Sequence, residues 1–294
     1  MKKDFTERIT GKTKLMALLG SPISHSLSPK MHNLSFEKLG LDYIYLAFDV
    51  NSDEQLADVI KGFRALNIRG ANITMPNKTL VCKYLDKLSP AAEMTGSVNT
   101  IVNDGGVLKG YMTDGVGYMR SLKEEGVDII GKKIVVAGAG GAATAICVQA
   151  ALDGVKEISI FNRKTSSYTR AEKVAQKINE ETNCKAKVFD LYNINILRTE
   201  IQESSIFIDA TSVGMKPLED KCNIPDPSIL YPDLVVSDIV YEPSKTKLLN
   251  MAEKQGCKVI NGYGMVLWQG AEAFKLWTGK EMPVDYVKEL LFKK

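Results

Sequence analysis

Apolar runs alternate with amphipathic segments along most of this 294-residue chain. Short apolar runs bounded by Gly, Pro or polar turns predict strands, and longer segments with helical spacing predict helices. The first part of the chain is predicted to contain strands at 14–20, 42–50 and 68–74, helices at 28–39 and 53–66, and a hairpin that turns at Gly105–Gly106 and ends at Asp114. This order of elements indicates an α/β domain over residues 1–115.

After a predicted helix at 115–125, strands and helices alternate more regularly. The predicted strands lie at 133–137, 157–162, 185–189, 206–210 and 234–240. Alternation of this kind implies a doubly wound parallel sheet, and we expect a second α/β domain over residues 116–260. Residues 212–233 interrupt the alternation with four prolines and predict a long loop at the carboxyl edge of the sheet. The last predicted helices lie at 265–277 and 284–292, before Lys293 and Lys294.

A glycine turn follows the strand 133–137 and precedes a helix. Gly138 would allow a tight turn, and Gly140 would let a pyrophosphate approach the backbone. The small Ala142 and Ala143 would let the helix pack close to the strand, and the helix N-terminus would face the phosphate charge. The pattern ends in Ala143 where a dinucleotide fingerprint often has glycine. It therefore predicts a dinucleotide site, with an ordinary strand–helix turn as the alternative.

Composition narrows the class of protein. The hydrophobic content of 45% and the charged content of 25% are typical of a soluble globular protein. A net charge of +3 without a dense Lys/Arg block argues against nucleic acid and membrane partners, and no apolar run approaches bilayer length. The charged segment Met1–Lys14 lacks the apolar run of a signal peptide, and we expect it to be a frayed end.

Cysteine and histidine usage gives no sign of a metal site. The five cysteines are scattered without a C-x-x-C pair, which favours a reducing cytosol over disulfides or structural zinc. His25 and His32 are the only histidines, and their spacing is not that of metal ligands. We therefore predict a cytoplasmic protein without a metal.

Three polar features lie where strands of the first domain are predicted to end. Ser21–Pro29 is rich in serine, and Ser28 before Pro29 is predicted to be the N-cap of a helix. Lys78 follows the strand 68–74, and Asp114 precedes the helix 115–125. Ligand-binding groups in open α/β sheets gather at strand carboxyl ends. Taken singly, the serines could serve only in capping, Lys78 as a solvated surface charge, and Asp114 as a helix cap.

Six groups of motifs, taken in chain order, resemble those of the shikimate dehydrogenase family, and the resemblance covers essentially the whole chain. The groups are Gly20–Pro29, Gly70–Lys78, Ser97–Thr100, Thr113–Gly115, Gly138–Ala143 with Asn162–Arg163, and Asn261–Met265 with Gln269. Gly262–Glu272, Leu276–Lys280 and Val213–Glu219 are most similar to the quinate/shikimate dehydrogenase branch. The resemblance implies an N-terminal substrate-binding domain (1–115), a Rossmann-type NAD(P)-binding domain (116–260), and C-terminal helices (261–294) that pack on the first domain.

The resemblance also implies a reaction. It is the reversible interconversion of shikimate and 3-dehydroshikimate with a nicotinamide cofactor, in the chorismate and aromatic amino acid pathway, with quinate as a further candidate substrate. By matching position, Lys78 is the catalytic lysine and Asp114 its carboxylate partner. Ketone reduction needs a proton donor at the developing alkoxide, and alcohol oxidation needs a base there. Acid–base transfer and electrostatic stabilisation by Lys78 both stay open, as does its resting protonation state.

Matching positions extend to the binding residues. Those for substrate are Ser26, Ser28, Thr74, Lys78, Asn99, Asp114, Tyr241 and Gln269. Those for cofactor are Gly138, Ala139, Gly140, Gly141, Ala142, Asn162, Arg163, Lys164, Lys216, Ile239, Tyr241, Gly262 and Met265. A polyol acid needs such a polar set, since a buried hydroxyl left unpaired costs about 1–3 kcal/mol. Asn72 and His25 are expected to support the loops rather than touch the ligand.

The second strand of the dinucleotide domain bears on cofactor choice. An acidic residue at its end would favour NAD, but the chain has Asn162 followed by Arg163 and Lys164. Two cations suit the 2′-phosphate of NADP. The quinate/shikimate branch has an Asp shortly after its arginine, where this chain has Thr165. We expect use of both NADP and NAD with a preference for NADP; the alternative is that both cations are solvated surface charges.

Rival functions account for fewer of these features. Tyr241 and Lys245 have the spacing of a short-chain dehydrogenase pair, but Pro243 precludes a continuous helix between them. A methylenetetrahydrofolate-dehydrogenase-like enzyme would share the two-domain plan without both the serine and the lysine motifs. A non-catalytic ligand sensor is the third alternative, and the presence of Lys78 and Asp114 argues against it. The resemblance is compatible with a homodimer.

Overall fold

The structure, a computed structural model, describes residues 9–291. The predictions for residues 1–8 and 292–294 lie outside the described residues. The chain divides into two compact units, one formed by residues up to Thr113 together with those from Gln269 onward, and the other by Asp114–Trp268. The sequence predicts these divisions near residues 115 and 260.

The first unit contains a six-stranded mixed sheet. Its elements up to Thr113 are β1 (Lys14–Gly20), α1 (Ser28–Lys38), β2 (Tyr43–Asp49), α2 (Asp53–Ala65), β3 (Gly70–Ile73), a 3₁₀ turn (Leu80–Tyr84), β4 (Lys87–Leu88), α3 (Pro90–Thr95), β5 (Thr100–Asp104) and β6 (Val107–Tyr111). The strand order is β2-β1-β3-β5-β6-β4. β1 pairs in parallel with β2 and β3, whereas β5 is antiparallel to both of its neighbours. The carboxyl ends of β1 and β3 therefore lie at one edge of the sheet. The serine loop (residues 21–27) begins there after β1, and the lysine loop (residues 74–79), which carries Lys78, begins there after β3.

The outer strand β2 has a side chain along its free edge. Nδ2 of Asn33, in α1, donates to the carbonyl oxygen of Tyr45 at 2.8 Å, and its Oδ1 accepts from the Tyr45 N–H at 2.9 Å. Leu46 and Phe48 of the same strand are 44% and 41% exposed. Asn33 thus occupies the position at Tyr45 where a further strand would bond.

The second unit has the predicted doubly wound sheet. Its elements are α4 (Thr113–Glu124), β7 (Lys133–Ala137), α5 (Gly141–Leu152), β8 (Glu157–Asn162), α6 (Ser166–Glu181), β9 (Lys185–Asp190), α7 (Ile194–Gln202), β10 (Ile206–Asp209), a 3₁₀ turn (Pro227–Ile229), β11 (Val235–Asp238), α8 (Lys247–Lys254) and β12 (Lys258–Ile260). All strands are parallel, in the order β12-β11-β10-β7-β8-β9. The order reverses at β7, the strand before the glycine turn, and ligands of such sheets bind at this switch point.

Two further helices, α9 (Tyr263–Thr278) and α10 (Val284–Leu291), complete the chain. The indole N–H of Trp277, near the end of α9, donates to the carbonyl oxygen of Ile101 at 2.8 Å. Nε of Arg69 donates to the carbonyl oxygen of Trp277 at 3.0 Å. The Lys38 ammonium lies 4.9 Å from the ring centroid of Tyr286. The C-terminal part of α9 and α10 therefore belong to the packing of the first unit.

Candidate active site

The serine and lysine loops meet where β1 and β3 end. The N–H of Ser21 donates to the carbonyl oxygen of Met75 at 2.8 Å, and the N–H of Thr74 donates to that of Leu19 at 2.9 Å. A Cβ at Gly20 would overlap the Thr74 side chain and lie 2.7 Å from the Met75 oxygen. Glycine at position 20 therefore lets the two loops approach each other closely.

The prediction that Ser28 caps its helix is wrong. Leu27 is the N-cap residue, Ser28 is the first residue of α1, and no side chain caps this helix. Oγ of Ser26 instead accepts from the N–H of Ser28 at 3.2 Å, and both serines are half-buried. The Ser28 hydroxyl is therefore not used in capping, which leaves the ligand-binding interpretation of this serine in place.

The loop that carries Lys78 is anchored at Asn77 and at the carbonyl group of Lys78. Asn77 is completely buried, and its Nδ2 donates to the carbonyl oxygen of Val50 at 2.8 Å. The carbonyl oxygen of Lys78 accepts from the N–H of Val98 at 2.8 Å. Lys78 itself is half-buried. No local sequence pattern indicates this contact of Asn77, since its partner Val50 comes from a different loop.

Asn99 lies in a buried polar network of the first unit. Its Nδ2 donates to Oγ1 of Thr113 at 3.0 Å, and its Oδ1 accepts from the Thr113 N–H at 2.7 Å. Behind it, Nδ2 of Asn72 donates to the Asn99 carbonyl oxygen at 3.2 Å. The side chain and main chain of Asn99 are thus both held, as a ligand-orienting amide requires.

The other substrate candidates lie on three different elements. Asp114 is buried in the first turn of α4, and because this helix begins at Thr113, the alternative that Asp114 caps it is wrong. Asp114 belongs to the second unit, and Gln269, on α9, belongs to the first. Tyr241 is 38% exposed, with its ring centroid 5.9 Å from that of Tyr263.

The glycine turn has the properties that a pyrophosphate site requires. Gly138 has a φ of +111°, and a Cβ there would lie 2.9 Å from the carbonyl oxygen of Ala210. Gly140 is the N-cap of α5 without any side-chain cap bond. A Cβ on Gly140 or Gly141 would meet nothing within 4 Å. The N-terminus of α5 is therefore open to an anion, and these residues fit the diphosphate of a dinucleotide.

Two exposed basic side chains, Arg163 and Lys164, follow the end of β8. Nδ2 of Asn162 donates to Oγ of Ser167 at 2.8 Å and to the carbonyl oxygen of Arg163 at 3.2 Å. Asn162 is buried, whereas Arg163 and Lys164 are exposed. Asn162 therefore shapes the turn that presents both cations at the carboxyl edge of the sheet.

The remaining cofactor candidates lie in loops at the same edge. A Cβ at Gly262 would overlap the carbonyl group of Ile239, so glycine is required for this contact. Met265 follows in the first turn of α9 and is buried. Lys216 is exposed in a turn in which the Gly214 N–H donates to the Leu218 carbonyl oxygen at 3.1 Å.

Two buried carboxyl groups, which are not among the predicted site residues, bond to the loops after β10 and β11. Asp209 and Asp238 end adjacent strands in register and are each 1% exposed. Asp209 accepts from the N–H and Oγ1 of Thr211, and Asp238 accepts from the Val240 N–H at 2.9 Å and from Oγ1 of Thr246 at 2.7 Å. Burial, with Asp209 as neighbour, raises the pKa of Asp238 to about 7. Asp209 and Asp238 each end an apolar strand, and this position in the sequence could have indicated a buried carboxyl group at the edge of the sheet.

Within residues 9–291, no group of three or more His, Cys, Asp or Glu side chains is placed to hold a metal ion. Over the same range, every helix is too short or too polar to cross a membrane. The five cysteines are free thiols, three of them buried.

Three family models match the chain. They are described as the shikimate dehydrogenase substrate binding domain (residues 18–101), shikimate/quinate 5-dehydrogenase (121–222) and the shikimate 5′-dehydrogenase C-terminal domain (262–292). The chain is 64% identical over 292 residues to the shikimate dehydrogenase (NADP(+)) of Listeria innocua, covering 99% of this chain and 100% of that protein.

Solved structures are similar over nearly the whole chain. The crystal structure of shikimate 5-dehydrogenase from Listeria monocytogenes in complex with shikimate and NAD has a TM-score of 0.95 at 64% identity, covering 97% of this chain and 98% of that chain. The quinate dehydrogenase of Corynebacterium glutamicum in complex with NAD has a TM-score of 0.83 at 29% identity, covering 94% of this chain and 98% of that chain.

Proposed function

Since the chain belongs to the shikimate dehydrogenase family, we propose that it interconverts shikimate and 3-dehydroshikimate by reversible hydride transfer with a nicotinamide dinucleotide. The chain is an oxidoreductase that acts on a CH–OH group. Within the site, the observation that carries the proposal is the anchored, half-buried Lys78, held by the contacts of Asn77 and Val98 at the carboxyl end of the first sheet.

Lys78 is proposed to move the proton of the reaction. When bound, the nicotinamide ring supplies the hydride to the C3 carbonyl, or accepts it from the C3–H of shikimate. In the reductive direction, the Lys78 ammonium donates a proton to the oxygen on which negative charge develops. In the oxidative direction, the amine accepts the hydroxyl proton. Asp114 is the proposed carboxylate partner that orients the lysine and balances its charge.

The other polar residues are proposed to hold the substrate. Ser26 and Ser28 suit the carboxylate, because hydroxyl donors at a helix start favour an anion. Thr74, Asn99 and Gln269 suit the ring hydroxyls, since an amide can both donate and accept. Lys78, Asp114 and Tyr241 complete the proposed set.

We propose that the second unit binds both NADP and NAD, with a preference for NADP. The exposed Arg163 and Lys164 are available for charge-assisted bonds to a 2′-phosphate. The hydroxyls of Thr165 and Ser167, 2.9 Å apart, are the groups proposed to bond a ribose without that phosphate. Replacing Arg163 by alanine should raise the KM for NADP+ about tenfold and leave that for NAD+ within twofold. Arg170→Ala, at another exposed arginine of the same region, is the matched control.

Initial rates with shikimate or quinate, each paired with NADP+ or NAD+, test the proposed activity. Lys78→Ala should lower kcat with shikimate by about 100- to 10,000-fold, the range of a lost general acid–base group. Lys61→Ala is the control, because the Lys61 side chain is 78% exposed on α2 and pairs with an exposed Asp58. Turnover by Lys78→Ala at the wild-type rate would exclude the proposed role of this lysine.

Quinate is the second candidate substrate. The structural similarity to the Corynebacterium glutamicum quinate dehydrogenase favours including it. A measurable rate with quinate supports the broader activity, and a rate only with shikimate restricts the proposal to that acid.

The free state of the five cysteines supports a proposal for the cellular location of the protein. Five free cysteines suit a reducing compartment, so we place the protein in the cytoplasm. Fractionation of the source cells, with the protein recovered outside the cytosolic fraction, would contradict this location.

A further inference from the structure

We propose that Tyr45 is a positioning residue for the substrate, because its buried hydroxyl fixes the orientation of Asn72 and, through it, of Asn99. This inference rests on the proposed function, in which Asn99 bonds a ring hydroxyl of shikimate. Tyr45 lies on β2 and is completely buried, so it acts without touching the ligand.

The hydrogen-bond donors and acceptors around Asn72 allow one orientation of its side-chain amide. Nδ2 of Asn72 lies 3.2 Å from the carbonyl oxygen of Asn99, which can only accept, so the amide nitrogen faces Asn99. The amide oxygen then faces Tyr45, whose hydroxyl donates to it at 2.8 Å. The Tyr45 hydroxyl therefore stabilises this orientation of the Asn72 amide by a second hydrogen bond.

The network continues from Asn72 to the side chain of Asn99. Nδ2 of Asn72 also donates to Oγ1 of Thr100 at 3.1 Å. Oγ1 of Thr100 in turn donates to Oδ1 of Asn99 at 3.2 Å. Asn72 thus holds the main chain of Asn99 directly and its side chain through one hydroxyl, in a site where every member is buried. Fully satisfied buried networks are rigid, and one missing donor disturbs their neighbours.

Aromatic packing keeps Tyr45 in place and its hydroxyl protonated. The His32 ring stacks on it with centroids 4.6 Å apart, and the Trp277 ring lies 6.0 Å away. Burial raises the pKa of Tyr45 above its usual value, and an interaction with Ser28 lowers it to a lesser extent. Burial also lowers the pKa of His32 to about 3, so the neighbouring ring is neutral. The phenol is therefore a constant donor at neutral pH.

Tyr45→Phe tests the proposal, since it removes the hydroxyl and keeps the ring stack. We expect the KM for shikimate to rise about five- to tenfold, with kcat and the KM for NADP+ within twofold, because orientation of a binding amide affects substrate and transition state alike. Tyr231→Phe is the control: its hydroxyl donates to the Ser204 carbonyl oxygen at 2.6 Å in the second unit. That variant should lose stability without a change in either KM.

Combination with Asn99→Ala separates positioning from a structural role. If Tyr45 acts through Asn99, Tyr45→Phe should change the KM for shikimate less than twofold in the Asn99→Ala background. Independent, multiplying effects would overturn the proposal, as would a Tyr45→Phe variant with wild-type KM and only a lower melting temperature. Thr100→Val removes the hydroxyl that links Asn72 to the side chain of Asn99. It should reproduce the KM increase if Tyr45→Phe does not fold. Absence of shikimate turnover by the wild type would instead refute the proposed function.

Discussion

Replacing Gly138 by alanine perturbs the turn between β7 and α5 in a defined way. Gly138 has a φ of +111°, a conformation that residues with a Cβ rarely adopt. The added Cβ would lie 2.9 Å from the carbonyl oxygen of Ala210 and 3.2 Å from Cγ2 of Thr211. Both contacts come from the segment after β10, so alanine must push the turn away from that segment.

The backbone conformation and the close contacts at Gly138 together set the size of this effect. Holding an L-residue in a sparsely populated backbone region costs about 1–3 kcal/mol, and overpacking a buried site costs about 1–3 kcal/mol. The lower entropy of the unfolded alanine chain offsets about 0.4–1 kcal/mol. The free energy of unfolding of Gly138→Ala should therefore fall by about 1–6 kcal/mol. Because α5 begins at Gly141, a displaced turn should also raise the KM for NADP+ more than that for shikimate.

Urea denaturation and initial-rate kinetics measure the two effects. The control is Gly62→Ala within α2, where a Cβ would meet nothing within 4 Å. This variant should gain about 1 kcal/mol of helix stability and keep both KM values. Equal unfolding free energies for Gly138→Ala and the wild type would refute the argument from φ and close contact.

Two further variants test the anchoring of α9 and the buried carboxyl pair. Trp277→Phe leaves the carbonyl oxygen of Ile101 without its 2.8 Å bond and should lower the unfolding free energy by about 1–3 kcal/mol; an unchanged urea midpoint would contradict this. Burial beside Asp209 raises the pKa of Asp238 from its usual 3.8 to about 7. Since the unfolded carboxyl loses its proton first, wild-type stability should fall by up to about 1.4 kcal/mol per unit from about pH 4 to pH 7. Burial also raises the pKa of Asp209, so Asp238→Asn should show a smaller slope than the wild type rather than none. Parallel pH profiles of the two proteins would contradict the raised pKa of Asp238.

Periodicity predicted both sheets because most of their strands are long enough to show it. The parallel strands 133–137 and 157–162 appear with the same bounds in the structure as in the apolar pattern. β4 and α3 were missed, since a two-residue strand and a six-residue helix have no measurable period. The capping prediction for Ser28 was wrong because Ser, Pro and a following helix fit two registers, and the structure uses Leu27 as the cap.

The candidate site was predictable only through motifs. Lys78 is one loop lysine among 38 basic residues, and its prediction came from the resemblance, not from any local pattern. The buried residues that hold the candidate site residues in place were not predictable from motifs. Tyr45 and Asn72 are 27 residues apart in sequence, and they meet because β2 and β3 flank β1 in a particular register. Asp209 and Asp238 are adjacent for the same reason, since β10 pairs with β11. The roles of the candidate site residues stay predictions.

The Asn33 side chain on the outer strand bears on self-association. An edge strand with exposed Leu46 and Phe48 would ordinarily invite a strand from another molecule. The main-chain N–H and carbonyl group of Tyr45 are both already bonded to the Asn33 side chain. These are the two hydrogen bonds that a neighbouring strand would make there. An incoming strand would have to displace this amide before it could pair along the middle of β2. The Asn33 side chain therefore hinders edge-to-edge association at β2. It does so although β2 is seven residues long and has no charged residue within its apolar part, residues 43–48.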